Sequence, residues 1–449
     1  MVFLSNKKTI SCMMKKNGFL KKVILSSIFS MLISSANVSF PDNHFLIFNN
    51  NIVEAHYLSS NEEKMIGNAA VEKYQQKNNT GENEALTDMQ KDIVENNSST
   101  LNLYDYGKHK RFLEPVKVSY EKTMNAFTFP GGQIFITQQM LDFLNTYYDD
   151  GYTYDEAIRP MEMDIKNPCD SLYNISSIEF VLGHEIGHWA NEDYLRQFDK
   201  QYNINMLFSL FGGNQTTLSG AMLEELSQKV LTDVTQRQMS LRVEEQADEK
   251  GIEYLEKSNV CSTGGAAMFF YRYRNFEKIK HMRDPSKGAD AHSNTTVRLR
   301  RVFDYWEKES NGLIKFTDDT EQFLLNGKIF KCGSGLFPRT DYATAKDRTF
   351  FIAGQLSKAV RLGLLDNKNL QLYVLKYSDV GGQTDRAVIV SANPTLHPNS
   401  AIFIDKLDSS YEEIKAKINN PDSFARVTNN DAECLYAMKS CGFKLIPFD

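Results

Sequence analysis

The sequence predicts an α+β protein: a mainly helical region with a small β-sheet beside its cleft, followed by a smaller α/β region. Three observations carry that prediction. His184, Glu185 and His188 form an HExxH element inside the apolar stretch IEFVLGHEIGHWANED, which reads as a buried helix. The stretch QIFIT at 133–137 is short, β-branched and aromatic, with Pro130, Gly131 and Gly132 just before it. Beyond residue 312, strand-like runs alternate with helical ones.

From the N-terminus, residues 1–36 hold six lysines and no acids, then the apolar run Val23 to Ile33 and the small residues Ser34, Ser35 and Ala36. This reads as a secretory signal peptide cleaved after Ala36, and the run is too short to span a bilayer. Residues 37–59 read as a linker, 60–311 as one domain and 312–449 as an accessory domain. Helices are predicted from Ser60 to Gln75 and from Leu86 to Glu95, and the alternation of Val116, Val118 and Tyr120 suggests a strand. Leu141 to Ser176 is an insertion rich in tyrosine and acid. Ser176 stands three residues before Glu179, a capping-box spacing that opens the histidine helix near Ser177 and carries it to about Gln197. Further helices are expected from Leu218, through SLRVEEQADEKGIEYLEKSN, and from Thr263. In the last region strands are expected at Leu324–Phe330, Leu370–Lys376, Ala387–Val390 and Ala401–Ile404, with helices at Arg348–Leu362 and Tyr411–Ile418.

Losing six lysines with the signal takes the net charge from −6 to −12. An acidic chain without interleaved basic and aromatic residues argues against a nucleic-acid partner. No other segment is long and apolar enough to cross a membrane, so no transmembrane helix is expected in the mature chain. Five of the six cysteines lie beyond the signal, and Cys434 and Cys441 are spaced to pair across a helix-to-strand turn. There is no CxxC pair to mark a structural zinc cluster or a redox site.

The HExxH spacing dictates a chemistry. Histidines four apart leave one face of a helix and can share a metal ion, one Zn²⁺ per chain. Glu185, beside the first ligand, is the candidate base for a water that keeps the fourth position. A third ligand is needed, and Glu244 in RVEEQAD lies far enough on to come from a separate helix. Asp248, four residues further, shares its face and suits an orienting role behind a ligating imidazole. Glu245 and Glu249 point elsewhere on that helix.

NAFTFPGG, HEIGH, EEQAD and DAHSNTTVRLRRV, in this order, resemble the zinc metallopeptidases that include HtpX and the CAAX prenyl proteases. This is metallopeptidase family forty-eight, of gluzincin type, and the resemblance covers about residues 60–308. It implies a zincin-type catalytic domain with His184, His188 and Glu244 as metal ligands, Glu185 as catalytic base and Asp248 behind them. His292 and Arg298 match the family's His…Arg element; the resemblance places both near the site, with His292 a candidate to stabilise the oxyanion and Arg298 to anchor a carboxylate. Asn125, Gly132 and Ile134 would border the substrate cleft, where the Gly131–Thr137 strand could pair with an extended peptide. The chain departs from the family pattern at Ser293, where proline is usual, at Ser176 and Ser177, where an Asp-Glu pair is usual, and in the long 141–176 insertion. The expectation is an exported zinc endopeptidase of the soluble branch, in the periplasm, cell envelope or medium, acting on unfolded or extended proteins in envelope quality control. A zinc-stabilised binding or chaperone-like protein with latent proteolysis stays open, as does a regulatory partner.

Overall fold

A computed structural model describes residues 60–98, 101, 113–145, 172–194, 220–235, 239–279, 295–317, 322–331, 337, 343–366, 369–370, 372–380, 383–390, 402–405, 411–418, 420, 424–426 and 433–445. The signal, the linker, most of the 141–176 insertion and His292 lie outside these residues.

Helix α1 (Ser60–Lys77) buries Ile66, Ala70, Val71 and Tyr74, a stripe at helical spacing. After β1 (Thr80–Glu82), α2 (Glu84–Asn97) opens where the Asn83 side chain accepts from the Leu86 amide at 3.1 Å. Then come β2 (Lys117–Ser119), β3 (Ala126–Phe129), β4 (Gln133–Thr137) and α3 (Gln138–Leu144). The four strands form one sheet in the order β1-β2-β4-β3, with β2 and β4 parallel and the other pairs antiparallel. Its two faces follow the period of two along a strand. Phe127, Phe129 and Phe135 pack on Tyr74 of α1, while Val118, Ile134 and Ile136 join the main core. Gly131 and Gly132, both with φ of 85°, make the left-handed turn between β3 and β4.

The sheet corrects one expectation. β4 pairs with β2 on one side and β3 on the other, so it has no edge to offer a peptide. Gly132 and Ile134 are buried, and the edge strands of this sheet among the described residues are β1 and β3, of which β3 lies beside β4.

The histidine helix α4 (Leu172–Ala190) starts earlier than its capping-box spacing suggests. Ser176 is inside it, donating to the Leu172 carbonyl at 3.0 Å and accepting from the Ser262 amide at 3.2 Å. Leu172, Tyr173 and Ile175 are buried and extend the apolar pattern upstream. The helix also ends sooner, because Glu192 takes a left-handed φ of 58°.

Helix α5 (Gly220–Thr235) packs on α1, and α6 (Leu241–Lys257) crosses α4. That crossing is close: a Cβ on Gly187 would stand 3.3 Å from the Ala247 carbonyl oxygen, and one on Gly251 would stand 3.1 Å from the Phe180 carbonyl oxygen. Helices α7 (Gly264–Ile279) and α8 (Thr295–Glu309) complete this part, joined where the Trp306 indole donates to Thr263 at 3.0 Å.

Beyond residue 312, β5 (Ile314–Thr317), β6 (Gln322–Leu325) and β7 (Lys328–Ile329) form an antiparallel sheet. The single strand expected at 324–330 is a hairpin, because Asn326 and Gly327 have φ of 53° and 72°, the pattern of a two-residue turn. Helix α9 (Ala345–Arg361) opens on a capping box between Thr344 and Asp347. β8 (Leu365–Asp366) and β9 (Asn369–Leu370) follow, then β10 (Leu372–Val380), β11 (Gln383–Val390), β12 (Ile402–Asp405), α10 (Tyr411–Ile418), β13 (Phe424–Arg426), α11 (Glu433–Ser440) and β14 (Lys444–Leu445). These strands form two sheets, β12-β11-β10-β13 and β14-β9-β8. The chain is thus α+β, mostly helical with small sheets. Cys434 and Cys441 stand as buried thiols rather than as the bridge their spacing suggests.

Candidate metal centre

His184 and His188 leave α4 on the same face, as their spacing of four requires, and their Nε2 atoms are 3.2 Å apart. Glu244 comes from α6, with Oε2 3.5 Å from His184 Nε2 and Oε1 3.8 Å from His188 Nε2. One ligand atom from each residue falls within 4.8 Å of the others. Two nitrogens bound tetrahedrally at about 2.0–2.1 Å would stand roughly 3.3 Å apart, so the imidazoles are spaced for one small divalent ion.

The surrounding charges favour a cation. His184 Nδ1 meets Asp248 Oδ1 at 2.9 Å, and His188 Nδ1 meets Asp193 Oδ2 at 2.8 Å. Each Nδ1 therefore carries the hydrogen toward its carboxylate, which leaves a lone pair on each Nε2. Two lone pairs facing at 3.2 Å repel unless a proton or a metal lies between them. Burial by itself would drive the His184 imidazole neutral, yet Asp248 and Glu244 push it up to about 10. The pocket is built to hold positive charge.

Behind this ring, Arg298 of α8 donates from Nε to Asp248 Oδ2 at 2.7 Å and from Nη2 to Oδ1 at 2.5 Å. Burial alone would raise the Asp248 carboxyl; the guanidinium reverses that and holds it below the ordinary carboxylate range. The Arg298 guanidinium itself lies over the Phe270 ring, 4.6 Å from its centroid. Arg298 thus anchors a carboxylate, and that carboxylate is Asp248. Glu245 takes no part, pairing with Arg301 at 2.5 Å on the outer face of α6, and Glu249 is exposed.

Glu185 is buried beside His184, and its Oε2 accepts from the Thr128 hydroxyl of β3 at 2.8 Å. Asn125 stands at the start of β3, where its backbone N–H donates to Thr137 Oγ1 at 2.9 Å and its carbonyl accepts from the Thr137 amide at 2.9 Å. Tyr194 adds a ring 6.4 Å from His188. Burial, then the Glu185 and Glu244 carboxylates, keep its phenol protonated.

Asp193, Thr128 and Tyr194 are the parts of the centre that spacing did not reveal. Thr128 lies within the quoted NAFTFPGG motif, but nothing in a strand pattern announces which helix a strand residue faces. Asp193 and Tyr194 follow the left-handed Glu192, whose turn a helix pattern does not register.

A helix carrying HExxH, crossed by a second helix that brings an acidic third donor to the same point, is the framework of a metallopeptidase. The family model described as peptidase family M48 matches residues 104–305. Over that stretch, which is less than half of the chain, the sequence is similar to this family, and the similarity supports a peptidase that acts on proteins or peptides. The match spans β2, β3 and β4, both metal-site helices and Arg298. No curated protein matches the chain.

Proposed function

We propose that this protein is an exported zinc metalloendopeptidase that hydrolyses peptide bonds in unfolded or extended protein segments of the cell envelope or its surroundings. The observation that carries the reading is the convergence of His184, His188 and Glu244 within 4.8 Å, with buried Glu185 adjacent to His184 in the chain. His184, His188 and Glu244 would hold a zinc ion, which would supply Lewis acidity at the scissile carbonyl and to a nearby water at neutral pH. Glu185 accepts the water's proton and hands it to the leaving amine. Asp248 and Asp193 fix the two imidazoles in the tautomer that presents Nε2, and Arg298 fixes Asp248. His292, by resemblance, is the candidate to stabilise the oxyanion.

The open edge of β3 supports recognition of extended chain, since strand addition uses backbone groups and makes little demand on sequence. Asn125 borders that edge. Residues 60–311 serve as the peptidase domain and 312–449 as its accessory domain. Export rests on the signal-like residues 1–36; no described helix is long and apolar enough to cross a membrane.

The test is Glu185→Gln against wild type on denatured casein. The variant should bind one zinc per chain and lose cleavage by about 100-fold or more. Chelator should stop the wild type and zinc restore it. Casein cut as fast by zinc-loaded Glu185→Gln overturns the assignment, and casein bound by wild type without chelator-sensitive cleavage favours a chaperone-like role.

A further inference from the structure

Thr128 is the one polar side chain that β3 sends toward the metal helix. Its neighbours Phe127 and Phe129 go to the aromatic face of the sheet, so alternation turns Thr128 to the opposite face, where it is buried. There its Oγ1 lies 2.8 Å from Glu185 Oε2 and 3.0 Å from the Glu185 backbone carbonyl oxygen. No other hydrogen bond to the Glu185 carboxyl is present among the described residues.

We propose that Thr128 is a positioning residue for the base. The inference rests on the reading of Glu185 given above. A glutamate has three side-chain torsions, and next to a metal an untethered carboxylate can swing onto the ion as a fourth ligand. That would fill the position water needs. The Thr128 hydroxyl holds Oε2 against the sheet, which leaves Oε1 as the free oxygen and fixes the plane of the carboxyl.

The hydroxyl serves the base in both of its states. It has one hydrogen and two lone pairs. With Glu185 ionised it donates to Oε2; with the water's proton on Oε1, Oε2 is the carbonyl oxygen of the carboxyl and still accepts from the hydroxyl. Both states of the base are satisfied without moving the backbone. The same strand is an edge of the sheet among the described residues, so a peptide pairing with β3 lies along the strand that sets the base.

The decisive comparison is Thr128→Val with Thr128→Ser, each assayed with zinc content, kcat and KM on a short peptide substrate. Valine keeps the shape and removes the hydroxyl; serine keeps the hydroxyl and removes the methyl. The expected result is a 10- to 100-fold fall in kcat for Thr128→Val with KM within about twofold and one zinc retained. Thr128→Ser should return to within about threefold of wild type. In a Glu185→Gln background, Thr128→Val should add no further loss.

Wild-type kcat in Thr128→Val overturns the proposal, as does equal damage by valine and serine, which would make the contact one of packing. Loss of zinc from Thr128→Val also overturns it, since the residue would then support the metal site and not the base. An active Glu185→Gln enzyme removes the underlying reading instead. A dead Glu185→Gln beside a fully active Thr128→Val removes this inference alone.

Discussion

His188 shows how much of a metal site one residue's surroundings decide. Its Nδ1 is satisfied by Asp193, five positions later, and five is the wrong interval for an unbroken helix, where it lies about 140° round the axis. The left-handed Glu192 ends the helix and brings the carboxylate back to the ring. His184, Glu185, His188, Glu244, Asp248 and Arg298 were legible because they follow helical intervals or match a motif. Asp193 was not, because a helix expected to run to Gln197 conceals the turn. Replacing Asp193 by alanine frees the His188 ring to rotate and removes the acceptor that sets its tautomer. Zinc affinity should fall by about 10- to 100-fold in a chelator competition, with the fold retained. Unchanged affinity would show that the 2.8 Å contact contributes nothing to the metal.

Helix α4 is an element with two functional faces. One carries the imidazoles. The other carries Glu179, buried under α10, where the Tyr411 hydroxyl donates to it at 3.3 Å beside a cavity of about 370 Å³ that Asp92, Lys257 and Lys415 also line. Burial pushes the Glu179 carboxyl up to about 7; the Cys261 thiol opposes that, and Asp92 reinforces it. A carboxyl raised in the folded state stabilises the fold below its ordinary value near 4.5, and that contribution is lost as pH rises through about 7. Glu179→Gln stays neutral throughout. Its melting temperature relative to wild type should therefore climb between pH 5 and pH 8, by an amount equivalent to at most about 3 kcal/mol. A difference that stays flat with pH would sink this account. At this scale the sequence gives the existence of α4 clearly and its start poorly. Ser176 offers the composition of a cap, but long-range packing recruits its hydroxyl for the Ser262 amide instead. Likewise QIFIT is a strand as read, yet only the sheet order reveals it as an inner one.

Over the whole molecule, the segment beyond residue 312 shares a core with the metal-bearing helices. Helix α9 lies so close to α7 that a Cβ on Gly264 would stand 2.2 Å from the Phe350 carbonyl oxygen. Arg272 of α7 pairs with Asp347 of α9 at 3.1 Å in the interior. Lys358 of α9 donates to the carbonyls of Leu255, Ser258 and Cys261, each at 2.8 Å, and so closes the C-terminal end of the helix that bears Glu244. Burial brings its ammonium down to about 8, with Glu256 opposing the shift. Lys358→Met fills the same space and leaves those carbonyls unmet. We expect it to cost about 3 kcal/mol or more and to lower the melting temperature by roughly 4 °C. A Lys358→Met protein as stable as wild type would count against this reading of the end of α6. No periodicity in the sequence marks Lys358, since a lysine on a helix ordinarily faces water.

The Tyr411 contact also sets an order in time. Tyr411 meets Glu179 across 232 residues and Lys415 meets Asp92 across 323, so the back wall of the histidine helix is made from chain synthesised long after the helix itself. Contacts of such separation form late, after the local helices and the β3–β4 hairpin. A growing chain can therefore hold every metal ligand and the base while α4 is still uncovered on its far side. Full packing of that helix waits until Tyr411 and Lys415 have been made.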